Sequence, residues 1–151
     1  MTDITIADKL DYPLAPANLS AEVFEQMMDD ATKKAKILTR VIKAQADKYI
    51  VRAAGQEFLR YEAWSTLAQG YGWTAGVETI TDVLDTDGHT VIGIEAYAVL
   101  RDSVGIQIGG APARCMFDEP NWSGKPLAQV ASMAGTRAAS KALRIGLSWV
   151  V

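Results

Sequence analysis

One cysteine and one histidine are present among 151 residues. The lone Cys115 excludes an internal disulfide and suits a reducing compartment. As a nucleophile it would need an activating base, and none of its sequence neighbours supplies one. A buried structural thiol is therefore expected. His89 directly follows a turn signal, and histidine catalysis requires an orienting partner within reach. It is expected to be exposed. The sequence also lacks a run near the ~18 apolar residues that a membrane span demands. Its beginning, Met1-Thr2-Asp3, has no charged-then-apolar leader pattern. The expectation is a cytoplasmic protein with no membrane partner.

Two further signatures are missing. Asp82, Asp85 and Asp87 precede Gly88, but they lack the alternating acids and closing glutamate of a calcium loop. No glycine loop followed by its lysine is present, which argues against nucleotide hydrolysis. Neither a metal nor a nucleotide cofactor is expected, and the chain is not expected to be an enzyme.

What is present is ordinary for a globular protein: 49% apolar and 22% charged residues. A chain of this length hides roughly two thirds of its unfolded surface in one domain. The net charge of -3 argues against indiscriminate polyanion binding. The acids are clustered, however. Asp3, Asp8, Asp11, Glu22, Glu25, Asp29 and Asp30 crowd the first thirty residues, which leaves room for a basic groove elsewhere.

Residues 1–19, broken by Pro13 and Pro16, are expected to form an arm, and 20–151 a single α+β domain. Ser20 is a suitable N-cap for a helix running to about Gln45. Phe24, Met27, Met28, Ala31, Ala35, Leu38, Val41 and Ile42 follow the helical period. Acids precede basic residues along it, in the order that the helix dipole favours. Tyr49–Arg52 and Phe58–Tyr61 read as short strands about an Ala53-Ala54-Gly55 turn. A helix over 62–69 is stopped by Gly70 and Gly72. Thr74–Leu84 and Val91–Leu100 are β-rich runs about an Asp87-Gly88 hairpin turn. A third strand begins at Val104. Its continuation through Arg114–Phe117 is open to question, because Pro112 cannot donate to a ladder. A loop over 118–125 leads into an alanine-rich helix from Pro126. The expected fold is α+β: an antiparallel meander of three to five strands packed on a long C-terminal helix, with an N-terminal helix.

At about 100° per residue, Arg137, Lys141 and Arg144 share one stripe of that last helix. Beside it runs a small-residue face of Ala131, Ala134, Ala138 and Ala142. Small side chains let a helix lie close on a sheet, with cations held at its shoulder for a phosphodiester backbone. Arg52 before a glycine turn, Arg60 before Tyr61, and Lys125 before the last helix add positive charge. Tyr61, Trp64, Tyr71, Trp73 and Trp122 could stack on bases only as exposed rings beside a phosphate track. Core placement is the commoner fate of a tryptophan.

Read in order, Arg52-Ala-Ala-Gly55, Phe58-Leu-Arg-Tyr-Glu-Ala-Trp64, Gly70-Tyr-Gly-Trp73, Ala134-Gly-Thr-Arg137 and Lys141-Ala-Leu-Arg144 resemble one family. It is the DNA-binding domain of the Rad-fifty-two family of single-strand annealing proteins, including its phage-encoded members. The likeness spans residues 48 to 147, about two thirds of the chain. It implies a ring or helical homo-oligomer that holds single-stranded DNA by its phosphates and leaves the bases outward, without metal or nucleotide. It implies action in DNA recombination and repair in a bacterial host's cytoplasm, beside a phage exonuclease or a host single-strand-binding protein. By position, Arg52 matches the basic residue before the glycine turn, and Lys141 and Arg144 match the terminal helix motif. Ser140 stands where the family often has a second adjacent cation, and Arg137 would supply that charge. The acidic-plus-glycine strand of the family corresponds only loosely to Gly105-Ile-Gln-Ile-Gly109.

Such a role suits phosphate contacts, which ignore sequence. Many copies along one strand would multiply weak contacts into avidity. Open meander edges could pair between subunits. Arg52, Arg137, Lys141 and Arg144, with Lys125 and Arg60, are the expected DNA-binding residues. Two alternatives stand beside this reading. One is a non-enzymatic oligomeric scaffold that binds no DNA. The other is a small enzyme using Cys115 or His89.

Overall fold

The computed structural model describes residues 20–148. The expected arm over 1–19, and the last three residues, lie outside them. Helix α1, Ala21–Ala44, begins where the Ser20 side chain accepts a hydrogen bond from the Val23 N–H at 3.3 Å. Glu22 in its first turn and Lys43 in its last suit the dipole. Gln45 breaks the helix, and a single turn, α2 (Ala46–Tyr49), leads directly into a strand. Sequence periodicity gave no sign of this short second helix.

Strands β1 (Ile50–Ala53) and β2 (Gln56–Leu59) form an antiparallel hairpin with Arg52 opposite Glu57. The second strand starts two residues earlier than the sequence suggests. Ala54 and Gly55 both have positive φ, 51° and 75°, so the turn takes only two residues and Ala53 pairs directly with Gln56. The Arg60 N–H donates to the Tyr49 carbonyl at 2.8 Å and ties the hairpin's base to the start of α3, Tyr61–Gly70. Beyond α3, Gly72 takes φ 70°. The Gly72 and Trp73 N–H groups donate to the Gln69 and Ala68 carbonyls, the double-bonded stop that a glycine permits.

The main sheet has the order β3-β4-β5, all antiparallel: Thr74–Leu84, Val91–Arg101 and Gln107–Met116. The first hairpin is longer than a two-residue Asp-Gly turn. Residues 85–90 form the loop, in which the Asp87 carboxylate accepts from the His89 and Thr90 N–H groups. His89 is exposed. Strand β5 begins at Gln107 rather than Val104. The Asp102 carboxylate collects the Val104 and Ile106 N–H groups and holds those residues in the turn.

Pro112 does not interrupt β5. Its carbonyl and that of Arg114 point off the sheet's free edge, where both accept bonds from the last helix. The nitrogen of Pro112 faces the same way as its carbonyl, so no ladder bond is lost.

Helix α4, Leu127–Leu147, lies across β4 and β5. Ala134, Ala138 and Ala142 meet Ile94, Ala96, Ala98, Ala111 and Cys115 in one buried cluster. The approach is close enough that a Cβ on Gly146 would stand 2.6 Å from Leu100 Cδ2. A second cluster holds larger groups: Ile42, Tyr49, Trp64, Leu67, Leu100, Leu143 and Leu147. It joins the end of α1 and the whole of α3 to the C-terminal half of α4. Among the described residues no helix is long and apolar enough to cross a membrane.

Candidate nucleic-acid interface

The alanine face fixes where the charged stripe of α4 points. With Ala134, Ala138 and Ala142 buried on the sheet, residues 137, 141 and 144 emerge at the flank that faces β5. There they line a cleft of about 310 Å³ together with Thr136 and Ser140 of the same helix. Its other wall is Leu59 at the end of the hairpin, Trp64 of α3 and Ala113 of β5. Among the described residues no carboxylate lines it. From Arg137 to Arg144 the helix rises about 10 Å, so the cations are spaced along a groove rather than focused on one point.

The three cations are not equivalent. Arg137 Nη1 sits 2.8 and 2.9 Å from the two oxygens of Glu119 and 2.9 Å from the Arg114 carbonyl. Glu119 also accepts from the Met116 N–H at 2.7 Å. The Arg137 guanidinium, aided by that amide, holds the Glu119 carboxyl down at about 2. The same pairing raises Arg137 further above its ordinary value. Arg137 is therefore a clasp that fixes the loop after β5, and its charge is largely answered within the chain. Lys141 Nζ lies 3.3 Å from the Pro112 carbonyl, a neutral partner, and it remains exposed. Arg144 is exposed and enters no ion pair among the described residues.

The remaining expected residues lie apart from this trio. Arg60 is exposed at the N-cap of α3, next to Leu59 of the cleft wall. Arg52 projects from the hairpin and pairs across it with Glu57 at 2.9 Å. That pair is exposed, and such pairs contribute about 0–1 kcal/mol, so a phosphate could compete for the arginine. Lys125 is not brought to the cleft. It precedes α4, and the helix rises about 21 Å between Leu127 and Lys141. On the outer face of the sheet Arg101 and Arg114 are each paired with an acid, Glu78 and Glu95. Trp64 is buried in the core; Tyr61, Tyr71, Trp73 and Trp122 are half-buried.

Sequence reasoning missed Glu119. The only available signal was an acid three residues beyond Met116, close enough to bond that residue's amide at the strand's end. Its pairing with Arg137 spans eighteen residues and depends on α4 returning along β5. Cys115 is buried, as expected, and burial pushes its thiol up, so the reactive thiolate is disfavoured.

The two bonds from α4 also alter the expectation for the sheet's edges. Arg137 and Lys141 occupy the outward carbonyls of Arg114 and Pro112, so this part of β5 has fewer groups to offer another strand. No family model, curated protein or solved structure matches the chain.

Proposed function

We propose that the chain is a single-stranded DNA-binding and annealing protein that works as a homo-oligomer in recombination. The observation that carries this reading is the cleft along α4, which no carboxylate of the described residues lines and in which Lys141 and Arg144 are exposed and enter no ion pair among those residues. A cleft of this kind grips phosphates without reading bases, which is what annealing requires. Ser140 adds a hydroxyl group that can donate to a phosphate oxygen, whereas that of Thr136 donates to the Ser132 carbonyl at 3.1 Å. Arg60 and Arg52 extend the positive track toward the hairpin. Arg137 serves it as a positioning residue, holding β5 and α4 together while Lys141 and Arg144 contact the strand.

Each phosphate neutralised on a single strand contributes about 0.7 to the slope of log affinity against log salt. The variant Lys141→Ala/Arg144→Ala should bind a single-stranded oligonucleotide more weakly, with a slope shallower by about 1.4. Fluorescence anisotropy across a salt series reads both. Unchanged affinity and slope would remove the cleft from the DNA site. An assembling chain with no affinity for single strands would favour the scaffold alternative, which the exposed apolar face of α1 also fits.

A further inference from the structure

Helix α1 carries one continuous apolar stripe whose two ends have different fates. Leu38 and Ile42 pack into the large-residue core. Phe24, Met27 and Met28, about half exposed, lie on the same stripe without a partner among the described residues, and every residue from Ala21 to Asp30 is exposed. Close to the buried end is an apolar cleft of about 190 Å³ lined by Thr39, Ile42, Lys43, Ile50, Phe58 and Leu67. A cavity of about 150 Å³ takes a benzene ring, so this one can take a phenylalanine side chain.

Charge points in the same direction. The free half of α1 bears Glu22, Glu25, Asp29 and Asp30, the last paired with Lys33 at 3.8 Å; the other half bears Lys36, Arg40 and Lys43, of which Lys43 lines the cleft. Glu57, on the cleft's rim, is engaged by Arg52. Within one molecule the two halves cannot meet. Phe24 and Ile42 are eighteen residues apart on an unbroken helix, about 27 Å along its axis.

We infer that the acidic, apolar first half of α1 docks on the basic second half of α1 and the apolar cleft beside it in a second copy of the chain, with Phe24 as the inserted side chain. The donor surface and the acceptor surface differ, so the contact is head-to-tail. Repeated, it closes into a ring or runs on as a filament. This deepens the oligomeric part of the function proposed above and rests on it, but it involves neither the α4 cleft nor DNA.

The test uses full-length protein without DNA, by light scattering after size exclusion. Wild type should be multimeric. Phe24→Asp, which spoils the donor, and Phe58→Asp, which spoils the acceptor, should each be monomeric with unchanged circular dichroism. Both side chains are half exposed, so folding should survive. Mixed in equal amounts, the two variants should form a one-to-one heterodimer that grows no further, because one intact donor meets one intact acceptor.

Three results would overturn the inference: a monomeric wild type, a Phe24→Asp chain that still assembles, or two monomeric variants that stay apart when mixed. The last would point to a symmetric contact between α1 helices. Single-strand binding by the Phe24→Asp monomer is measured separately. A wild type that binds single strands but stays monomeric sinks this inference and the oligomeric part of the proposed function, and leaves the DNA reading standing; a wild type that assembles through α1 but binds no single strand sinks the DNA reading alone.

Discussion

The two long helices solve opposite problems. Helix α4 is buried along one face by alanines, and its neighbours on the sheet are mostly alanines too. Such a surface gains little hydrophobic energy per residue, but it brings backbones close and leaves no spare volume. Helix α1 carries larger side chains and buries only Ile42 fully. Its first three turns contribute apolar surface that the other described residues leave uncovered. Side-chain size along a helix therefore does not predict how firmly that helix is held. The shape opposite it does.

Three measurements would break or sharpen this contrast. The largest effect is expected where volume is scarcest. Ala138 is fully buried between α4 and the sheet, so Ala138→Leu should destabilise the fold by about 1–3 kcal/mol in chemical denaturation. A neutral result would mean that α4 is held more loosely than its alanines imply.

Next comes the clasp between α4 and the end of β5. The folded carboxyl of Glu119 titrates at about 2, below its ordinary value of 4.5. A depressed acid stabilises the fold above its unfolded pKa, and that contribution is lost as pH falls from about 4.5 toward 2. Glu119→Gln should flatten the acid limb of stability against pH in this window and lower the plateau above it. An unaltered acid limb would show that other carboxylates set it.

The smallest effect belongs to α1. At concentrations too low for assembly, Phe24→Gln should change the unfolding free energy by no more than about 0.5 kcal/mol, as exposed sites do. A loss comparable to that of Ala138→Leu would mean that the first half of α1 packs within its own molecule.

Much of the architecture was legible in the sequence because it depends on local chemistry. The Ser20 cap, the Gly72 stop, the β-branched runs and the alanine spacing of the last helix each have a short-range cause, and each appears where it was expected. The misplacements were local too. The Ala54-Gly55 turn was tighter than supposed, and the Asp102 side chain delayed the third strand. Pro112 could not be resolved from sequence, because the penalty for a missing N–H depends on whether that nitrogen faces a neighbouring strand or the edge.

The cation stripe of α4 was visible as spacing, and the helix does present Arg137, Lys141 and Arg144 to one cleft. Their division of labour was not visible. Arg137 is drawn to Glu119 because the chain returns beside its own strand end; Lys125 has the right charge and lies at the far end of the helix.

The sequence by itself determined the long elements, the face by which α4 binds the sheet and the side on which its cations emerge. Periodicity and capping act over a few residues and need no distant partner. Only the tertiary structure decided which of those cations are answered within the chain, that β5 runs through its proline, and that the other described residues leave half of α1 uncovered. Each of these depends on a group far away in sequence, placed within a few ångströms by the fold.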